Sequence, residues 1–255
     1  MHILVTNDDG VSAPGLLALA QAMRALGKVS VLAPDHNWSG SGHVKTLDRP
    51  LRARPVTLED GSPALASDGA PSDCVALALM GLIAEPVDLV VSGINPYPNM
   101  GHDLTYSGTV TAAMEATIYG VKAIAVSLNG SDKTPQPFDY APAAHYAQQL
   151  AREVIARGLP PNTLLNLNVP ALPLPQILGM QVTRQGTRIY RDELVRRADP
   201  RGRPYYWIGG DAPTGVPEPG TDIGALEAGY ASVSPIQLDL TAYEFSETLK
   251  SWQIF

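Results

Sequence analysis

Short apolar runs that stop at polar turns alternate along this chain with longer stretches whose apolar residues recur at helical spacing. Ile3-Leu4-Val5 stops at Asn7-Asp8-Asp9-Gly10, the pattern of a buried strand running into a polar turn. Gly15 to Leu26 has a helical apolar period, Gly27 suits its C-terminal cap, and Val29 to Ala33 is a second strand closed by Pro34-Asp35. That βαβ unit predicts a parallel sheet. The alternation continues as a helix over 72–83, a strand over 87–92, a helix over 109–119, a strand over 123–128, an amphipathic helix from Tyr140 to Arg157 capped by Gly158, and a strand from Leu164 to Val169. Strands flanked by helices on both faces make a doubly wound, mostly parallel α/β sheet.

Between Leu172 and Pro219 the composition shifts toward Pro, Gly and Arg. Strand-like pieces at Gly179 to Thr183 and Tyr205 to Ile208 lie around the basic run Arg188 to Arg203, which predicts an appended hairpin arm. Its aromatics Tyr205, Tyr206 and Trp207 are costly in water, so packing against a neighbouring subunit is expected. Tyr230 to Leu240 is a strand returning to the sheet or the arm, followed by a short helix with Tyr243, Phe245, Leu249 and Trp252. Residues 1–170 thus form the catalytic core and 171–255 an extension of one overall domain.

Composition narrows the partners. A net charge of −7 offers no broad basic surface, which argues against a nucleic-acid polymer. An anionic substrate then needs a local positive centre, and a bound divalent cation supplies one inside an acidic protein. The single Cys74 forms no intrachain disulfide and reads as a small buried hydrophobe; with no signal-peptide pattern and no apolar stretch near 20 residues, a cytoplasmic protein without membrane contact is expected.

Ligands of open α/β sheets bind outside the carboxyl ends of the strands. Three such ends are rich in oxygen donors: Asn7 to Gly10, Asn37 to Gly42, and Ser92-Gly93-Ile94-Asn95. Two carboxylates, a hydroxyl and a side-chain amide favour a hard cation such as Mg²⁺ or Mn²⁺ over zinc. By residue type alone, Asp8-Asp9-Gly10 reads more readily as a solvated turn with a helix cap, and Ser39 as part of a flexible connection. The polar loop Asn95 to Thr111 runs into a helix at Ser107-Gly108-Thr109, where backbone N–H groups and hydroxyls attract anions; an ordinary Ser/Thr cap reads the same way.

Asn7-Asp8-Asp9-Gly10, Ser39-Gly40, Ser92-Gly93-Ile94-Asn95, Tyr106-Ser107-Gly108-Thr109-Val110 and Gly220-Thr221-Asp222, with Asp68 to Cys74 and Gly229 to Pro235, resemble in their order the motifs of the SurE family of survival-protein nucleotidases. The resemblance implies a Rossmann-like core, one divalent cation per subunit held by Asp8, Asp9, Ser39 and Asn95, and hydrolysis of nucleoside monophosphates. It also implies dimers or tetramers joined through C-terminal elements. The chain departs from the usual family pattern at Tyr97 and Ala116, where glycine is common. The first departure bears on the loop shape and not on the metal ligands.

The expected chemistry is attack of a metal-activated water on phosphorus, with Asp8 or Asp9 taking the proton. Asn95 and Ser107 belong to the catalytic set, and Asn99, Ser107, Gly108 and Thr109 hold the phosphoryl oxygens. Two alternatives stay open, Asp8 as a covalent nucleophile and a non-catalytic nucleotide or metal sensor. A dinucleotide-dependent oxidoreductase is disfavoured, because no Gly-x-Gly-x-x-Gly follows the first strand. His36, His43 and His102 lie in the polar loops and are read as ordinary loop histidines, not catalytic ones.

Overall fold

The computed structural model describes residues 1–131, 133–252 and 254. Eleven strands are present among them: β1 His2–Thr6, β2 Lys28–Pro34, β3 Ala53–Thr57, β4 Pro63–Ser67, β5 Leu89–Asn95, β6 Lys122–Asn129, β7 Thr163–Pro170, β8 Met180–Val182, β9 Arg188–Ala198, β10 Pro204–Gly215 and β11 Ala231–Gln237. The helices are α1 Pro14–Arg24, α2 Pro71–Leu77, α3 Gly108–Ile118, α4 Ala141–Arg157, α5 Asp222–Glu227 and α6 Tyr243–Leu249.

Nine strands form one sheet in the order β3-β4-β2-β1-β5-β6-β7-β11-β8, parallel except where β3 meets β4 and β7 meets β11. The alternation of β1 explains the layering. Ile3 and Val5 face a core built with α1 and α4, including Leu16, Leu19 and Ala147, whereas Leu4 faces a second core with Val75 of α2 and Val110 of α3. Both faces are covered, as a largely parallel sheet requires, and this is the predicted three-layer α/β/α arrangement.

Three elements differ from the sequence reading. The helix expected over 72–83 is α-helical only through Leu77 and passes into a π-helical turn, Ala78–Leu82, broken at Gly81. Met180–Val182 does not belong to the arm; it pairs with β11 as an edge strand of the main sheet. The arm is instead β9 with β10, so the basic run is itself its first strand. Arg188–Ala198 mixes charged residues with Ile189, Tyr190, Leu194 and Val195, and it forms an exposed strand rather than the segment between two strand-like pieces that the sequence suggested. The hairpin β3-β4 was not foreseen: its burial is partial and Pro55 and Pro63 obscure the period. β11 returns to the sheet beside β7, and Cys74 is fully buried.

The chain runs β1, β2, β4 to one side of β1 and then restarts at β5 on its other side. The switch point between β1 and β5 opens a crevice at their carboxyl ends, the place where this topology binds ligands.

Candidate active site

Asp8 and Asp9 follow β1 directly, and Asn95 is the last residue of β5. A shift in the pairing of β5 with β6 between Ser92 and Asn95 sets that end of the strand. Ser39 comes from the loop after β2, which is drawn in because the Trp38 N–H donates to the Asp8 carbonyl at 2.7 Å. Ser107 caps α3, its Oγ accepting from the Val110 N–H at 3.1 Å. Asp8, Ser39, Asn95, Asn99 and Ser107 line one cavity of about 240 Å³, together with Tyr97, Asp103 and Tyr106.

The two carboxylates diverge. Asp8, 3% exposed, turns toward α3, where its Oδ1 accepts from Thr109 Oγ1 at 2.5 Å. Asp9 is not among the cavity-lining residues; its Oδ1 lies 3.4 Å from Asn37 Nδ2, and its charge reaches Tyr140 before α4. Burial raises the Asp8 pKa, and burial with the neighbouring Asp8 charge pushes Asp9 up to about 7. Asp9 Oδ2 is buried with no hydrogen-bond partner. Two adjacent, desolvated carboxylates without a basic side chain between them are costly to hold ionised unless protons or a cation offset the charge.

The other predicted residues have defined partners. Asn95 Nδ2 donates to the Tyr97 carbonyl at 2.6 Å, which leaves Oδ1 as the free acceptor. The Thr109 hydroxyl is engaged with Asp8, so Thr109 holds the carboxylate in place and offers only its backbone to an anion. Gly108 is needed for contact: a Cβ there would stand 2.7 Å from Asp8 Cβ. Asn99 is clamped by β7, since its N–H donates to Asn168 Oδ1 at 2.8 Å and its carbonyl accepts from Asn166 Nδ2 and Asn168 Nδ2, both at 2.9 Å. Asn99 Nδ2 donates to Ser127 Oγ at 2.8 Å.

Asn166 and Asn168 were missed by the sequence reading, although two asparagines two residues apart in an otherwise apolar strand mark one polar, buried face. Asp103 and Tyr106 also line the cavity but were not singled out as site residues, although Tyr106 opens the motif that runs to Val110. None of the histidines lines the cavity. His43 bonds Glu115 at 2.8 Å, His36 bonds Asp35 and stacks near Trp38, and His102 is exposed on a 3₁₀ turn.

Metal-ligand chemistry is compatible with this donor set on its own terms. Asp9 Oδ2 lacks a partner, Asn95 Oδ1 is free, and the donors are all oxygen. Among the described residues no three His, Cys, Asp or Glu side chains gather around one point, so a cation here depends on the amide and hydroxyl as well. No helix among the described residues is long and apolar enough to cross a membrane.

Comparison with known proteins agrees with this arrangement. The family model described as survival protein SurE matches residues 3–192. The 5'-nucleotidase SurE of Chloroflexus aggregans is 53% identical over 99% of both chains, and that of Herpetosiphon aurantiacus 50% identical over 98% of both. The crystal structure of the SurE protein from Aquifex aeolicus superposes with a TM-score of 0.82 at 40% identity, covering 98% of each chain. The motifs at the switch point therefore sit in a full-length match of sequence and fold, and the chain belongs to the SurE family.

Proposed function

We propose that the protein is a 5'-nucleotidase that hydrolyses nucleoside 5'-monophosphates to nucleoside and phosphate. We further propose that it does so with one Mg²⁺ or Mn²⁺ held by Asp8, Asp9, Ser39 and Asn95. The observation that carries the reading is the meeting of Asp8, Ser39, Asn95, Asn99 and Ser107 around one cavity at the switch point, beside the unpartnered Asp9 Oδ2. The names of the relatives support the reaction class, since those proteins are 5'-nucleotidases. Activity on 3'-monophosphates and short polyphosphate belongs to the same proposal.

A divalent cation, when bound, supplies positive charge to a phosphoryl oxygen and acidifies a water. The chain's own groups do the rest. Asp8, which lines the cavity, is fixed by Thr109, so it loses no further side-chain entropy at the moment of reaction. Asn99, locked by Asn166, Asn168 and Ser127, and the start of α3 at Ser107 and Gly108 face the phosphoryl oxygens with fixed dipoles. Asp9 Oδ2, with no protein donor, is the open position for a proton. The arm completes the proposal: Leu194, Tyr205, Tyr206, Trp207 and Ile208 are exposed on it and are assigned to a homodimer or homotetramer contact.

Phosphate release from AMP and GMP, measured with and without EDTA, tests the reading. We expect release that EDTA abolishes and Mg²⁺ or Mn²⁺ restores. Release insensitive to EDTA removes the cation, and nucleotide binding without release leaves a sensor.

A further inference from the structure

The turn that leads from Asn99 to the start of α3 carries two cavity-lining residues, Asp103 and Tyr106, and ends on Ser107. Its centre is Asp103, whose carbonyl accepts from the Tyr106 N–H at 3.0 Å and the Ser107 N–H at 3.1 Å. The setting of that one residue therefore fixes how the first turn of α3 meets the cavity. Its side chain is held by the first strand of the arm. The Tyr190 hydroxyl donates to Asp103 Oδ1 at 2.6 Å, and Arg188 Nε stands 2.6 Å from Asp103 Oδ2. The second contact is a charge pairing, because Nε is not aligned for a hydrogen bond. It is well shielded from solvent, with the Arg188 side chain 11% and the Asp103 side chain 18% exposed.

The base of the arm is itself fixed to this turn. Asp222 of α5, fully buried, accepts from the Gly101 N–H at 2.9 Å with Oδ2 and from the Gly186 N–H at 2.8 Å with Oδ1, so one carboxylate joins turn and arm. The two backbones touch at Gly101, where φ is +51° and a Cβ would stand 2.5 Å from the Gly186 carbonyl oxygen and 2.9 Å from Arg188 Cγ. Arg188 thus reaches Asp103 from a rigid seat. Burial and the bond to Asp103 push the Tyr190 phenol up to about 12, so it keeps its proton and remains a donor at neutral pH. The charge of Asp103 gives the pairing its consequence. Asp8 and Asp103 both line a cavity assigned to an anion, and without Arg188 the second carboxylate would stand uncompensated beside a phosphate and repel it.

We propose that Arg188 and Tyr190 are positioning residues of the phosphate site: they neutralise and fix Asp103, and through its carbonyl they fix the Tyr106-Ser107 turn, so that the arm completes the active site of its own chain. The inference rests on the phosphomonoesterase reading for the identity of the anion. It assigns to the base of the arm a share in substrate affinity that is separate from any contact the arm makes with another subunit.

The test reads affinity for inorganic phosphate in the full-length protein, as its inhibition constant against AMP hydrolysis and, independently of turnover, by titration calorimetry with Mg²⁺ present. Arg188→Met is expected to raise the phosphate constant and the KM for AMP together by about tenfold, the scale of one interaction with a charged group, while kcat moves by less than about twofold. Arg188→Lys restores most of the loss. In an Asp103→Asn background Arg188→Met costs less than about twofold, because the charge it answers is gone. Tyr190→Phe removes one oxygen from a partly exposed ring and raises the same constants about threefold, which keeps the proposal testable if circular dichroism shows that Arg188→Met does not fold. Unchanged phosphate affinity in a folded Arg188→Met or in Tyr190→Phe overturns the proposal. So does an equal effect of Arg188→Met with and without the Asp103 charge, or a fall in kcat alone, the mark of a merely structural role. If the unmodified protein binds phosphate but releases none from AMP, the phosphatase reading fails instead, and calorimetry still decides the part played by Arg188 and Tyr190; a protein that does neither overturns both.

Discussion

The switch-point crevice and the arm break the ordinary rule of burial in opposite directions. In the crevice polar groups are buried: Asp8, Asn95, Asn99, Ser107 and Thr109 are all at or below 9% exposure, with Asn166 and Asn168 fully buried behind them. On the arm apolar groups are out in solvent, Leu194 at 74%, Trp207 at 64% and Ile208 at 85%. Burying polar groups is tolerated where they bond one another, as Asp8 with Thr109 and Asn99 with Asn166 and Asn168 do, while Asp9 Oδ2, Ser92 Oγ and Asn166 Oδ1 are buried without a partner. The arm has no such internal remedy, because β9 and β10 pair only with each other. Under the proposed function, one region would be completed by an ion and a substrate and the other by a protein surface. The two burial patterns thus call for two different kinds of proposal.

The largest expected effect breaks the crevice. Asp8→Asn keeps the acceptor for Thr109 and removes the charge, so the fold survives while phosphate release from AMP falls by about 100-fold or more, the scale of losing one fixed electrostatic group. Steady-state kinetics beside a circular dichroism spectrum read both. Activity within threefold of the unmodified protein rejects Asp8 as a cation ligand. The matching change on the arm, Trp207→Ser, touches no buried group. It weakens assembly by about 2 kcal/mol if this tryptophan anchors the contact, which light scattering across a concentration series detects, while the unfolding free energy of the chain moves by no more than about 0.5 kcal/mol. A mass unchanged at every concentration would sink the interface assigned to the arm.

A third change sharpens the comparison from inside the crevice. Asn168→Ala removes the acceptor of the buried Asn99 N–H and one of the two donors to its carbonyl, which keeps Asn166. Unpaired buried groups cost about 1 to 3 kcal/mol, so urea unfolding shifts accordingly. Turnover of AMP drops with it, because Asn99 is no longer held. A loss of stability with full turnover means that Asn99 does not position the phosphate.

How much of this was legible in the sequence follows from what each residue depends on. The strand ends at Asp8 and Asn95 are local events, an apolar run meeting a polar turn, and local pattern located them. Their convergence depends on strand order, which the βαβ rule supplied for β1 and β2 and the family resemblance supplied for the rest. The divergence of Asp8 from Asp9 was invisible, because it is set by Thr109 on one side and Asn37 and Tyr140 on the other, residues 28 to more than 100 positions away. The same holds for Gly108, whose role as a contact surface for Asp8 looks in sequence like freedom for a phosphate. Exposed β9 was hidden by its own arginines, since strand and solvated loop have similar composition when neither face is buried.

The smallest effect concerns Glu115 of α3, which ties the Ser39-bearing loop to the core. Its carboxylate, 3% exposed, accepts from His43 at 2.8 Å and Lys45 at 2.9 Å, and Thr111 of the same helix donates to the Gly42 carbonyl at 3.0 Å. Burial alone would raise the Glu115 pKa, but the bonds from His43 and Lys45 outweigh it and hold the group below its ordinary value of 4.5. A carboxylate depressed in the folded state stabilises the protein above its unfolded pKa, and that contribution fades as pH falls through the folded one. Glu115→Gln therefore lowers the unfolding free energy by about 1 kcal/mol near neutral pH, and the difference between the two proteins shrinks as the medium is acidified below pH 4.5. Thermal unfolding of both from pH 7 downward measures it. A gap that stays constant with pH shows that the ion pair does not secure the loop, and Ser39 would then owe its place to the Trp38 contact with Asp8 and to the Gly42 bonds with Thr111 and Tyr106.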